Sequence, residues 1–365
     1  MATVDLESHF LAATEAAAIA AAAWRGKGNG KAADGAAVEA MRTVFDQVPF
    51  DGRVAIGEGE RDDAPMLWIG EPLGSLQGDP NAPSIDIAVD PLECTNHVAN
   101  DLPNAMAVLA AAPRGALLHA PDCYMNKIAG PAELDGEISL DASTSYNVEA
   151  AAAALGKKES ELNIVVMDRP RHKNLISELN QHNVNVLLIG DGDVSAALNA
   201  ADPKSDVDML MGIGAAPEGV ITATALRGLN APFEGRLVFK NEGHRERAEK
   251  MIEGDIERHW ARDDLCASDD AVFIGTGVCP GRTFGVEELS DGRFSVQSEI
   301  IDVANSAAML DNCSTINGKH IIEAAECRLF DRGSWVRAIN DSSLPNFNRE
   351  EGHKLEPWLN NVSIQ

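Results

Sequence analysis

Basic residues are scarce in this chain: 30 Lys and Arg stand against 57 Asp and Glu, a formal net charge of -27 over 365 residues. No concentrated basic patch offsets that balance, so binding a nucleic-acid backbone would work against general repulsion and no nucleic-acid partner is expected. Cysteine pairs are lacking too. Cys94, Cys123, Cys266, Cys279, Cys313 and Cys327 are widely spaced and include no Cys-x-x-Cys, which argues against zinc and reads as thiols in a reducing compartment. The N-terminus has no basic region ahead of its Ala-rich stretch and carries Glu15 within it. No run reaches membrane-spanning length, so a cytoplasmic protein without a membrane partner is expected. No internal repeat is visible. A small anionic substrate would meet the same repulsion, and a site for one needs divalent cations, local Arg or Lys, or helix N-termini.

What the chain does have is the material for a large core, with 45% hydrophobic residues, and a length that suggests two domains or closely joined lobes. Residues 6–24 contain strong helix formers without Pro or Gly and predict a packed helix that the RGKGNGK segment ends. A second helix is expected from Asp34 to about Gln47. Short apolar strands at 54–57, 85–90 and 105–112 follow, with polar residues clustered at their exits, where open α/β sheets place ligands. Beyond Gly156, strands at 163–168, 185–190 and 208–214 alternate with helices from about His172, from about Val194 and after Glu218. That rhythm predicts a parallel α/β lobe, extended by strands at 271–277 and 294–301. The polar linker 135–144 marks the expected boundary. It divides an N-terminal metal-binding lobe, 1–140, from a substrate-binding lobe, 141–305, and the tail 306–365 predicts no element.

The strongest local signal is Asp90-Pro91-Leu92-Glu93-Cys94-Thr95, directly after an apolar strand. Two carboxylates three residues apart, with Pro91 forcing a turn, can converge on hard cations, and the Thr95 hydroxyl can hold a water for in-line attack. A lone Asp-x-x-Glu would be a solvated turn; the strand exit, the Pro and the Thr favour chemistry. A second acidic cluster, residues 56–65, carries Glu58 between Gly57 and Gly59, which permit close backbone approach. By itself it reads as a surface loop. Were Glu58, Asp90 and Glu93 to converge, their repulsion would demand neutralising cations. Asp34 reads first as a helix cap and Glu218 as a carboxylate favoured at a helix start, although the strand exit makes Glu218 a candidate ligand. Arg169-Pro170-Arg171-His172 sets two guanidiniums around a rigid Pro, able to reach one phosphate or both ends of a bisphosphate. Asp191-Gly192-Asp193 opens a helix and offers acceptors to sugar hydroxyls. Salt bridges and turns explain each of these taken singly.

Their order says more. DGAAVEAMR, IGEGERDDAPMLWIGEPLG, DIAVDPLECT, APDCYMNK, MDRPRH, DGDVSAAL and GIGAAPEGV resemble, in sequence and succession from about Gly26 to Ser306, the class II fructose-1,6-bisphosphatases, including cyanobacterial enzymes that also use sedoheptulose bisphosphate. DPLECT is also similar to a signature of the lithium-sensitive phosphatase superfamily. The resemblance implies an α/β fold layered as an αβαβα sandwich and hydrolysis of the 1-phosphate of fructose 1,6-bisphosphate, in gluconeogenesis or the Calvin cycle. It implies Mg2+ or Mn2+ held by Asp34, Glu58, Asp90, Glu93 and Glu218, with Thr95, Glu58 and Asp90 catalytic. Substrate contacts would come from Glu93, Cys94, Thr95, Tyr124, Arg169, Pro170, Arg171, Asp191, Gly192, Asp193 and Ala215. It also implies a homo-oligomer, dimer or tetramer.

The chain departs from the family at Cys94, where relatives have Gly, and across Asn96–Pro103, where they have a Gly-Gln pair. Lys27 and Lys31 miss the spacing of the family's lysine, the region 240–262 is shorter, and the tail past Ser306 has no recognised counterpart. Two competing readings follow: a phosphatase of another small phosphomonoester, and a catalytically weak paralogue that binds metal and sugar phosphate.

Overall fold

Nearly continuous apolar runs such as SIDIAV and MAVLAAA are the pattern of strands covered on both faces. The computed structural model describes residues 2–57, 59, 66–290, 294–316 and 319–323. Its first half runs α1 (Ala2–Asp5), α2 (Glu7–Ala22), α3 (Gly30–Phe45), β1 (Asp51–Ile56), β2 (Pro72–Leu73), β3 (Ser84–Glu93), α4 (Thr95–Asn100) and β4 (Met106–Pro113). There follow β5 (Tyr124–Ala129), α5 (Thr144–Leu155), β6 (Asn163–Met167), α6 (Lys173–Gln181), β7 (Asn185–Ile189), α7 (Asp193–Ala201), β8 (Met209–Ala215) and α8 (Ala216–Gly228). The chain closes with β9 (Phe233–Val238), α9 (Glu242–Met251), β10 (Trp260–Ala261), α10 (Arg262–Leu265), β11 (Val272–Gly277), β12 (Glu287–Glu288), β13 (Phe294–Asp302), β14 (Ala307–Ile316) and β15 (Lys319–Glu323).

Two sheets result. The first has the order β15-β14-β13-β11-β4-β3-β1-β2 with β12 on β13, and the second β10-β9-β5-β8-β6-β7. Side-chain alternation then sorts three cores. On one face of the first sheet Ile85, Ile87, Val89, Leu109 and Ile274 meet α2 and α3, while on the other Ala88, Val108, Ala110 and Phe273 meet α7 and α8. The second sheet faces those same helices through Met125, Val165 and Leu210 and turns Ile128, Ile164, Val166, Met209 and Met211 toward α5 and α6. Period-2 alternation in the strands thus produces five layers, αβαβα, and the expected α/β sandwich holds.

The boundaries differ from the sequence expectation. β5 already belongs to the second sheet, whereas β11 and β13 return to the first, β11 lying antiparallel between β4 and β13. The strands at 271–277 and 294–301 therefore do not extend the second sheet, because pairing across more than a hundred residues leaves no local mark. Nor is the second sheet parallel throughout: β6 runs parallel to β7 and β8, but β5 is antiparallel to both β8 and β9. The first part of the tail folds, β14 along β13 and β15 along β14. Residues 324–365 lie outside the described residues. The second helix begins four residues before Asp34, at Gly30, and Asn29 caps it by accepting from the Ala32 amide at 3.2 Å.

Candidate active site

The two parallel strands of the first sheet, β1 and β3, and the parallel strands β6, β7 and β8 of the second end around one cavity of about 360 Å3. Its walls include Asp34 from α3, Asp90, Glu93, Cys94 and Thr95 from β3 and the start of α4, Tyr124 from β5, and Arg169 and Arg171 after β6. Asp191 and Asp193 after β7, Ala215 at the end of β8 and Glu218 in the first turn of α8 complete it. Residues separated by almost two hundred positions are thus brought together. Pro170 and Gly192 stand behind the wall: Pro170 opens the short 3-10 turn that spaces the arginines, and Gly192 precedes α7. Glu58 lies outside the described residues, as do 60–65.

Local structure explains how β3 presents its carboxylates. Pro91 does not turn the chain; the strand continues to Glu93 with a bulge, Asp90 opposite Val108 and Glu93 opposite Met106, so three steps on β3 match two on β4. A bulge tolerates a residue without an N–H and re-aims its neighbours. The Asp90 carboxylate accepts from the Leu92 amide at 3.0 Å, and the Thr95 hydroxyl donates to the Leu92 carbonyl at 3.1 Å. Cys94 is left-handed, φ 68 and ψ 47, the conformation a glycine at this point would take freely. Its buried thiol packs on Gly192, where a Cβ would come within 2.9 Å of Sγ. Gly192 itself has φ +95, so both the space and the backbone require glycine there. Burial, then the charges of Glu93 and Asp191, push the Cys94 thiol well up, which keeps it protonated and unreactive.

The floor of the cavity is acidic and desolvated. One oxygen of Glu93 accepts from the Val194 amide at 2.9 Å, while Oε2 is buried without a hydrogen-bond partner; Glu218 Oε2 is likewise unpartnered. Burial, reinforced by Asp193, raises the Glu93 carboxyl well above the usual range. Burial likewise pushes Glu218 to about 7, against the pull of Lys127. Asp34 and Asp191 are raised by burial too. Two orphaned buried carboxylate oxygens among hard oxygen donors fit a divalent cation of the Mg2+ or Mn2+ type, which would satisfy both. Among the described residues no three His, Cys, Asp or Glu side chains already stand in coordinating geometry, so an ion would have to draw these oxygens together.

Two residues of the site carried no sequence signal. Asp122 lines the cavity and presses its charge on Glu218. Lys127, on β5, is buried and grips Asp193, Nζ to Oδ2 2.6 Å, beside Gly214, where any Cβ would meet Asp193 Oδ2 at 1.8 Å and Lys127 Nζ at 3.0 Å. Both lie in the APDCYMNK segment, yet nothing in its spacing marks them. Lys27 and Lys31 are exposed and do not line the cavity, Lys27 lying 5.7 Å from the Trp24 ring.

Residues 4–309 match the family model described as bacterial fructose-1,6-bisphosphatase, glpX-encoded. The chain belongs to that family. Among its relatives is the D-fructose 1,6-bisphosphatase class 2/sedoheptulose 1,7-bisphosphatase of Synechococcus sp. (strain JA-2-3B'a(2-13)), 46% identical over 289 residues that cover 73% of this chain and 83% of the relative. Proteins of the same name from Prochlorococcus marinus (strain MIT 9313) and Synechocystis sp. (strain ATCC 27184 / PCC 6803 / Kazusa) are 41% and 40% identical, each covering 84% of this chain and 95% and 94% of the relative. In this member of the fructose-1,6-bisphosphatase family, Asn96–Pro103 folds as most of α4 and its exit. There Val98 and Ala99 accept from the amides of Gly26 and Gly28 at 2.9 and 2.8 Å, fastening the Gly-rich segment behind α2. Among the described residues no helix is long and apolar enough to cross a membrane.

Proposed function

We propose that this chain hydrolyses the 1-phosphate of fructose 1,6-bisphosphate to fructose 6-phosphate and phosphate, with Mg2+ or Mn2+ as cofactor and sedoheptulose 1,7-bisphosphate as a second substrate. One observation carries the reading: a single cavity in which carboxylates from the first sheet and its helix, Asp34, Asp90 and Glu93, face guanidiniums from the second, Arg169 and Arg171. A sugar bisphosphate needs both. Its reacting phosphate calls for cations held by carboxylates, and its distal phosphate for fixed positive charge.

Asp34, Asp90, Glu93 and Glu218, with Glu58, are the residues that would hold the metal. When bound there, divalent cations polarise the phosphoryl oxygens and lower the pKa of the attacking water. Thr95 gives its own proton to the Leu92 carbonyl, so its oxygen remains an acceptor and orients that water by taking one of its hydrogen bonds. Arg169 and Arg171 hold the distal phosphate, so that binding energy remote from the reacting centre aligns the ester for attack. A cytoplasmic homo-oligomer, dimer or tetramer, belongs to the same reading.

The test is phosphate release from fructose 1,6-bisphosphate with Mn2+ or Mg2+, compared with Asp90→Asn. Equal rates reject the assignment. The weak-paralogue alternative rests on Cys94 and on the missing Gly-Gln pair, and the first motive is reduced because Cys94 keeps the left-handed backbone that a glycine would adopt.

A further inference from the structure

Tyr124 opens β5 with Ala215 of β8 on one side and Val238 of β9 on the other. Two residues after Val238 the chain brings Lys240 back over the ring, its Nζ 3.9 Å from the centroid. Arg171, which lines the cavity, reaches the same ring at 4.8 Å and is held there by two hydrogen bonds to the Ile213 carbonyl, 3.0 and 2.6 Å. Among the described residues neither Lys240 nor Arg171 has a carboxylate within ion-pair distance. In a chain with 57 acidic residues and 30 basic ones, these two neighbouring cations stand without carboxylates at the edge of the cavity. Their charge is available to a ligand, and the aromatic face offsets some of their mutual repulsion while the site is empty.

We propose that Lys240 joins Arg171 and Tyr124 in a subsite for the distal, non-reacting phosphate, and that it makes the site prefer bisphosphates to monophosphates. This deepens the bisphosphatase reading and rests on it. Arg171 is fixed by Ile213 and fits one phosphate edge. Lys240 is exposed, on a flexible stem, and supplies a point charge that can follow the phosphate of either a six- or a seven-carbon sugar. The cavity then holds its substrate by charge at both ends. Discrimination comes from the end where no bond is broken.

The experiment compares wild type, Lys240→Met and Lys240→Arg on fructose 1,6-bisphosphate and on fructose 1-phosphate, which keeps the reacting phosphate and lacks the distal one. Lys240→Met should raise KM for the bisphosphate roughly tenfold, about one charge-assisted hydrogen bond, with kcat within about twofold. Hydrolysis of fructose 1-phosphate should not change, and Lys240→Arg should restore most of the bisphosphate KM. An unchanged KM, or equal losses on both substrates, overturns the proposal while leaving the bisphosphatase reading in place. Calorimetric binding of fructose 6-phosphate in metal-free buffer gives a readout independent of turnover. Lys240→Met should weaken it about tenfold by the same hydrogen-bond argument. If wild type bound fructose 6-phosphate in this way and yet cleaved no bisphosphate, the reading of function would fail and the subsite would stand. No binding by wild type, or identical binding by Lys240→Met, would overturn the subsite.

Discussion

Replacing Lys127 by Met removes the positive charge buried beneath the cavity. The side chains of Lys127 and Asp193 are 1% and 8% exposed and touch at 2.6 Å, so in Lys127→Met the largely buried Asp193 carboxylate loses its ion-pair partner. Asp193 already raises Glu93 and Glu218, so the stranded charge adds to an existing repulsion. Breaking such a pair from one side typically costs about 3–5 kcal/mol, most of it the uncompensated charge. In a chain of this length that corresponds to a fall in melting temperature of roughly 4–7 °C. The assay is thermal unfolding of four proteins: wild type, Lys127→Met, Asp193→Asn and the double variant. The double variant removes both charges and should recover much of the loss, so the two single effects should not add. Bisphosphate turnover should fall in Lys127→Met, because Asp193 is no longer held, and should not return in the double variant. A Lys127→Met protein as stable as wild type, or strictly additive losses, would refute the claim that this ion pair braces the site.

Two further outcomes follow from the same geometry. Cys94→Gly releases a left-handed backbone worth about 1–2 kcal/mol, but it loses the thiol packed on Gly192 and adds unfolded-state freedom of about 0.5–1 kcal/mol. Melting should therefore move by no more than about 3 °C with a robust rate retained; a larger shift or a collapse in rate contradicts this balance. In chelated protein Glu218 keeps its proton to about pH 7, against an ordinary 4.5, so between those values the folded state binds more protons than the unfolded one. The contribution is complete below about pH 4.5 and is lost as pH rises through 7, so the chelated protein should weaken over that window. Mn2+ displaces the proton and should flatten the decline. Melting curves with the same pH slope in EDTA and in Mn2+ would speak against metal at Glu218.

The site was legible wherever a motif sat at the end of a recognisable strand. Asp90, Glu93 and Thr95 after β3, Arg169 and Arg171 after β6, and Asp191 and Asp193 after β7 share one cavity because strand exits gather at one edge of a layered sandwich. Asp34 was misread locally as a cap, since a carboxylate near a helix start has two explanations and only the position of Asn29 separates them. Lys127 and Lys240 escaped notice for a different reason. A buried lysine on a strand and an exposed one after a strand are individually unremarkable, and their meaning arises from Asp193 and Tyr124, many residues away.

The chain by itself determined the α/β class, through apolar strands alternating with helices, and the inventory of acidic and guanidinium groups around the cavity, while its five layers were legible only through the resemblance to the bisphosphatase family. Period, propensity and residue type act within a few neighbours, and a sequence displays them directly. Only the tertiary structure decided that β11 and β13 return to the first sheet, that Cys94 takes a left-handed turn against Gly192, and that Lys127 lies between buried carboxylates. Those outcomes depend on contacts between residues far apart in the chain, where burial and charge are set by what the rest of the fold brings near.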